Sequence, residues 1–230
     1  MSPAGELRDA RSHDGPFAIK DCALIAIATG KRALTLKELH DVLSEIDLGS
    51  VYYHMWGGLL EPRFEEREFN NDFAAWARHG LHDGVLTERL ALVDPTDAGG
   101  LEELRQELME IIEERLDESE YLPWARATQP FEFVRSQIVV FDTRRRAHRV
   151  EELAQLMPQL SPSAIFYHFI DARRRLPESC SDFSLWLASF GGEYEDLRQR
   201  LAGIDPYFRS LTELREEIAT IFGAYFEERR

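Results

Sequence analysis

Two stretches decide how this chain is read: PFAIKDCALIAIA at residues 16–28 and PFEFVRSQIVVFD at residues 130–142. The first is rich in alanine and reads as helix. The second contains Ile138-Val139-Val140-Phe141, and branched and aromatic side chains of that kind suit a pleated strand. Both open on Pro-Phe and align without a gap, so one conformation is expected for both. Helix is the favoured reading over residues 19–28 and 133–142, with a short strand after each Pro-Phe as the alternative.

Outward from these stretches, the same offset of 114 places Glu38-Leu39 over Glu152-Leu153, and Val51-Tyr52-Tyr53-His54 over Ile165-Phe166-Tyr167-His168. After a small gap, Asp72-Phe73-x-x-Trp76 falls over Asp182-Phe183-x-x-Trp186. Arg89-Leu90, Asp94-Pro95 and Leu104-Arg105 then match Arg200-Leu201, Asp205-Pro206 and Leu214-Arg215. Ordered matches over so long a period indicate duplicated domains rather than a solenoid.

Within each copy the signals are helical. Thr35-Leu-Lys-Glu38 has the form of a capping box. Asp47 and Ser161-Pro162 are placed to start helices. Gly80 and Gly191 are candidate left-handed helix ends. Leu101, Leu104, Leu108, Ile111 and Ile112 have the spacing of an amphipathic helix, as do Leu211, Leu214, Ile218, Ile221 and Phe222. The expected fold is therefore mainly α, with two tandem related helical modules packed about a pseudo-two-fold axis. A polar tail at 1–15 precedes a first repeat at 16–118, a linker at 119–129 and a second repeat at 130–230.

The net charge of −15 works against binding that depends on neutralising phosphates, and fits a chain kept apart by self-repulsion or one that meets a basic partner. Cys22 and Cys180 do not fall at equivalent places, so a disulfide framework is not expected. The N-terminus lacks an apolar signal segment, and the longest apolar run is too short to span a bilayer. The expected compartment is the cytoplasm.

Tyr53, His54, Tyr167 and His168 are the candidate binding groove, since an aromatic and an imidazole lie off the apolar stripe in both copies. Packing between the copies is the competing explanation. Asp72 and Asp182 are possible polar support, although each precedes a Phe-x-x-Trp helix where a capping or first-turn role suffices. Arg89 and Arg200 are further support candidates, with pairing to nearby carboxylates as the alternative. No catalytic residue, cofactor or metal is assigned. His79, His82 and Asp83 have no counterpart in the second copy, and no phosphate loop, nucleophile elbow or dinucleotide fingerprint is present.

The short helix, turn and SVYYHM or SAIFYHF helix resemble the helix-turn-helix of bacterial repressors. Arg144, Arg145, Arg146, Arg149, Arg173, Arg174 and Arg175 make the second copy locally basic there. The first copy lacks that charge, and the second helix is too apolar for base readout. More broadly, FAIKDCALIAIATGKRA, SVYYHMWGG, NNDFAAWARHGLHD and LVDPTD resemble an uncharacterised bacterial family, a domain of unknown function built as a tandem repeat. That resemblance covers nearly the whole chain and implies no reaction, cofactor or partner. The second copy departs from it at Ser181 in place of Asn71 and Phe166 in place of Tyr52.

The functional expectation is a non-enzymatic binding, adaptor or regulatory protein with an acidic surface. The expected partner is another protein, with neither membrane nor nucleic acid; a homo-oligomer is also compatible with the sequence. The alternatives are a helix-turn-helix DNA-binding regulator, and a small-molecule sensor or enzyme using His54 and Asp72 as acid–base groups.

Overall fold

A computed structural model of the chain describes residues 15–60, 68–176 and 179–229. The polar tail expected at residues 1–15 lies, except for Gly15, outside them. Both decisive stretches are strands. β1 (Phe17–Thr35) is followed by α1 (Leu36–Leu43), α2 (Leu48–Trp56), α3 (Asp72–His79), α4 (Gly84–Ala91) and α5 (Leu101–Asp117). β2 (Arg126–Ala147) is followed by α6 (Val150–Leu156), α7 (Pro162–Ile165), a π-helical stretch (Phe166–Asp171) and α8 (Ala172–Arg175). The chain ends in α9 (Asp182–Ala188), α10 (Glu195–Ala202) and α11 (Leu211–Glu227).

The mainly α, all-helical expectation is therefore corrected to α+β, with 54% helix and 20% strand. β1 and β2 form a two-stranded sheet. Their register is antiparallel: Thr29 Oγ1 donates to the Phe133 carbonyl, and Thr143 Oγ1 donates to the Ile19 carbonyl. The helical reading of 19–28 rested on alanine content. That preference is small per residue, and strand pairing together with side-chain burial overrides it. Phe17 and Ile19 are buried while Lys20 is exposed, and Phe131 and Phe133 are buried around exposed Glu132. This is the two-residue alternation of a half-buried strand.

The chain forms two compact units that do not follow chain order. One comprises Cys22–Val140 and Asp205–Leu211, and so holds α1 to α5. The other comprises the described residues up to Asp21, with those of 141–204 and from Thr212 onward, and holds α6 to α10 and nearly all of α11. In the α1–α5 unit, Leu39, Val51, Met55, Phe73, Leu90, Leu108 and Ile112 are buried together with Phe131 and Phe133 of β2. In the α6–α11 unit, Leu153, Ile165, Phe169, Phe183, Leu201, Ile218 and Phe222 are buried together with Phe17 and Ile19 of β1. Each helical core thus takes its Pro-Phe residues from the strand that precedes the other set of helices.

Local signals explain the helix starts. Thr35 accepts the Glu38 N–H at 3.1 Å, while the Glu38 carboxylate reaches the Leu34 N–H at 2.7 Å, one residue before the capping box would predict. Asp47 accepts from Gly49 N and Ser161 from Ala164 N. Gly80 corrects the expected left-handed ending, for its φ is −90°. Glycine is needed there for space: an added Cβ would lie 2.8 Å from the Trp76 ring. Gly191, at φ +65°, does adopt the left-handed form.

A chain ending at Asp117 would retain α1 to α5 but lack Phe131 and Phe133. It is expected to show no cooperative thermal transition by circular dichroism, and to regain one when a peptide of residues 126–140 is added. In the full chain, Phe133→Ala should cost about 3–5 kcal/mol in denaturant unfolding, the usual range for truncating a core phenylalanine.

Candidate functional site

Four of the residues singled out in the sequence, His54, Asp72, His168 and Asp182, form one arrangement that occurs twice. In the α1–α5 unit, His54 on α2 is 4% exposed. Its Nδ1 lies 2.9 Å from Asp72 Oδ2, and its Nε2 accepts the Val134 backbone N–H at 3.0 Å. In the α6–α11 unit, His168 is 2% exposed, its Nδ1 lies 2.8 Å from Asp182 Oδ2, and its Nε2 accepts the Lys20 backbone N–H at 2.9 Å. A backbone N–H can only donate, so each Nε2 presents its lone pair. Each ring is therefore the neutral Nδ1–H tautomer, donating to its aspartate.

The tryptophans of the two Asp-Phe-x-x-Trp motifs complete the grip on the strand. Trp76 Nε1–H donates to the Gln129 carbonyl at 2.8 Å, and Trp186 Nε1–H donates to the Gly15 carbonyl at 3.1 Å. Around the imidazoles, Phe131 stacks on Phe73 with ring centroids 5.1 Å apart, and Phe17 sits 5.3 Å from Phe183. Histidine and tryptophan thus hold backbone groups in or just before a strand, aspartate orients the histidine, and phenylalanines fill the space between.

The aspartates do not cap their helices. Asn71 Oδ1 accepts the Ala74 N–H at 2.8 Å, and Ser181 Oγ accepts the Ser184 N–H at 3.0 Å. The first-turn carboxylate is then available to orient the histidine. These caps were legible as residue types but were not singled out. The contacts to Val134, Lys20, Gln129 and Gly15 had no sequence signal, because they use backbone groups that every residue supplies.

The remaining candidates are placed as follows. Tyr53 is half-buried, lies edge-on to His54 and packs over Gly57, where an added Cβ would meet its ring at 2.9 Å. Tyr167 is buried beneath the Arg175 guanidinium, 4.1 Å from the ring centroid. Arg89 pairs with Glu118 at 2.5 Å, and Arg200 pairs with Glu228 at 2.7 Å and with Asp196 at 2.9 Å. Arg89 and Arg115 hold the Glu118 carboxyl below its ordinary value, and pairing to Glu228 raises the Arg200 guanidinium above its own. Each arginine ties a short helix to the end of the long one that follows.

Arg175 links the second clasp to its surroundings. It donates to Asp182 at 2.9 Å and to the buried Asp171 at 2.8 Å. Burial pushes the Asp182 carboxyl up, but hydrogen bonding from His168 and the charge of Arg175 outweigh it, so its pKa lies below the usual carboxylate value. Other arginines of the basic stretch are also engaged: Arg146 with Asp142, Arg149 with Glu152 and Arg174 with Asp171. Every residue from Ala164 to Ala172 is buried, so the helix that would read bases in a helix-turn-helix lies in the core. His79 bonds Glu68 and Asp83 bonds Arg115. Among the described residues no group of three or more His, Cys, Asp or Glu is placed to hold a metal ion, and no helix is long and apolar enough to cross a membrane.

The chain belongs to a family of unknown function, DUF5752, whose model matches residues 14–223. It is similar to a solved structure, OrfY from Thermoproteus tenax, at 25% identity and a TM-score of 0.79, over 93% of this chain and 97% of that one. No curated protein matches the chain.

Removing either imidazole takes the acceptor from a strand N–H and one hydrogen bond from an aspartate. His54→Ala and His168→Ala should each cost about 2–4 kcal/mol in urea unfolding, combining an unsatisfied buried donor with the cavity left behind. A change below about 0.5 kcal/mol in both would show the clasp to be dispensable. A lowered carboxylate pKa stabilises the folded state above the unfolded-state pKa, and that stabilisation is lost as pH falls through the folded value. The stability advantage of wild type over Asp182→Asn should therefore be full near neutrality and shrink below about pH 4, read from urea midpoints across pH.

Proposed function

We propose that this DUF5752 member acts by binding another protein, and that its Tyr-His and Asp-Phe-x-x-Trp motifs serve the fold rather than catalysis. One observation carries the structural reading of the motifs: each imidazole has both nitrogens engaged, Nδ1 with an aspartate and Nε2 with a strand N–H. A general base needs a lone pair within reach of a substrate proton. His54 and Asp72 are in contact, as an acid–base pair would require, but the lone pair that would act is already accepting a backbone hydrogen bond in a buried position. The motif that most resembles an active site is thus occupied by the protein itself.

The reading includes an internal duplication with exchanged strands. Gly15 and Gln129, and Lys20 and Val134, are related by the same offset of 114 that aligns Pro16 with Pro130, and each pair fills the same position in a clasp. Thr29 and Thr143, related by that offset too, donate to carbonyls of residues that are themselves so related, Phe133 and Ile19. Ionic pairing of the basic stretch and burial of the Ala164–Ala172 helix argue against the DNA-binding alternative.

The tagged full-length protein, used for capture from a lysate of its source organism and then mixed with each purified candidate, should form a stoichiometric complex on size-exclusion chromatography with light scattering. Retention no stronger than that of an unrelated protein of equal charge would count against the proposal.

A further inference from the structure

We infer that the α1–α5 unit carries a docking ledge for a Lys- or Arg-bearing segment of a partner protein, centred on Trp124 and Tyr121; this rests on the binding reading above. Both rings stand out of the protein, Tyr121 at 85% exposure and Trp124 at 80%. The other three tryptophans, Trp56, Trp76 and Trp186, are between 1% and 8% exposed. Large rings left in water are uncommon on a monomer surface and are the residue types that anchor interfaces.

The ledge is held in place. Leu122 to Trp124 form a 3₁₀ turn with Pro123 inside it, closed by Trp124 N–H to the Tyr121 carbonyl at 3.1 Å and Ala125 N–H to the Leu122 carbonyl at 3.2 Å. The turn packs against α1 and α5. A partner would therefore meet rings on an ordered backbone and would not have to fix a loop.

The charge against the Pro123 turn selects the partner. Pro123 lines a cleft of about 320 Å³ whose other walls include Lys37, His40, Asp41, Glu113 and Asp117. Its three carboxylates face one ammonium. Lys37 is held by Asp41 at 3.0 Å, and His40 bonds Glu113 at 2.7 Å. Glu113 and Asp117 are four apart on α5, both exposed, where like charges repel. An incoming ammonium or guanidinium would relieve that repulsion, and tryptophan, here Trp124 next in sequence to Pro123, is the side chain whose face best takes a cation. An acidic or uncharged segment gains neither effect.

The test uses the full-length protein and a fluorescein-labelled peptide of alternating Arg and Lys, followed by anisotropy at low salt and again at 0.5 M salt. Saturable binding is expected, at least tenfold weaker in Trp124→Ala and in Tyr121→Ala, several-fold weaker in Asp117→Asn, and unchanged in Glu151→Gln, which removes an exposed carboxylate from the other unit. Acrylamide quenching of Trp124 should fall on binding. Equal binding by Trp124→Ala and wild type, or the same loss in Glu151→Gln as in Asp117→Asn, would overturn the proposal and reduce the effect to general attraction by an acidic protein. Self-association that Trp124→Ala abolishes would also overturn it, by giving the ledge to a second copy. If a purified partner binds wild type and Trp124→Ala alike, this ledge is excluded while the binding reading stands.

Discussion

The interaction on which the rest of the structure depends is a backbone N–H of a β-strand donating to a buried histidine nitrogen. Lys20 N–H meets His168 and Val134 N–H meets His54. Because the donor is a main-chain amide, the ring must stay neutral with its proton on Nδ1, and that proton needs an acceptor. Asp72 and Asp182 supply it from the first turns of α3 and α9. A buried donor left without a partner costs more than a single hydrogen bond contributes, so each element of the clasp constrains the others.

That constraint explains several features at once. The aspartate can reach the histidine because an adjacent Asn71 or Ser181 has taken over the cap. The tryptophan one turn later on the same helix holds a second backbone point, Gln129 in β2 and Gly15 just before β1. Buried phenylalanines of strand and helix fill the space around the imidazole. A histidine joined to an aspartate is a familiar sign of catalysis, but its significance depends on what occupies the other nitrogen. Here the chain does.

The strand that is clasped precedes, in sequence, the other set of helices. Residues of β1 up to Asp21 are grouped with α6 to α11, and residues of β2 up to Val140 with α1 to α5. Neither set of helices completes its aromatic core from the segment immediately before it. The two compact units therefore do not coincide with consecutive stretches of the chain. The exposed rings at Tyr121 and Trp124 follow α5 and take no part in this arrangement, which leaves them available for contact outside the chain.

The matched segments, most helix positions, the caps at Thr35, Asp47 and Ser161, and the residue types that matter at Tyr-His and Asp-Phe-x-x-Trp are all legible in the order of residues. These are local: a helix cap or an apolar stripe is written within a few residues. The tertiary structure alone decided that PFAIKDCALIAIA is a strand, since its alanines favour helix weakly and the pairing that overrules them lies more than a hundred residues away. It also decided that the histidines grip strands, because their partners are backbone amides and carbonyls, and a backbone group leaves no mark in the order of side chains.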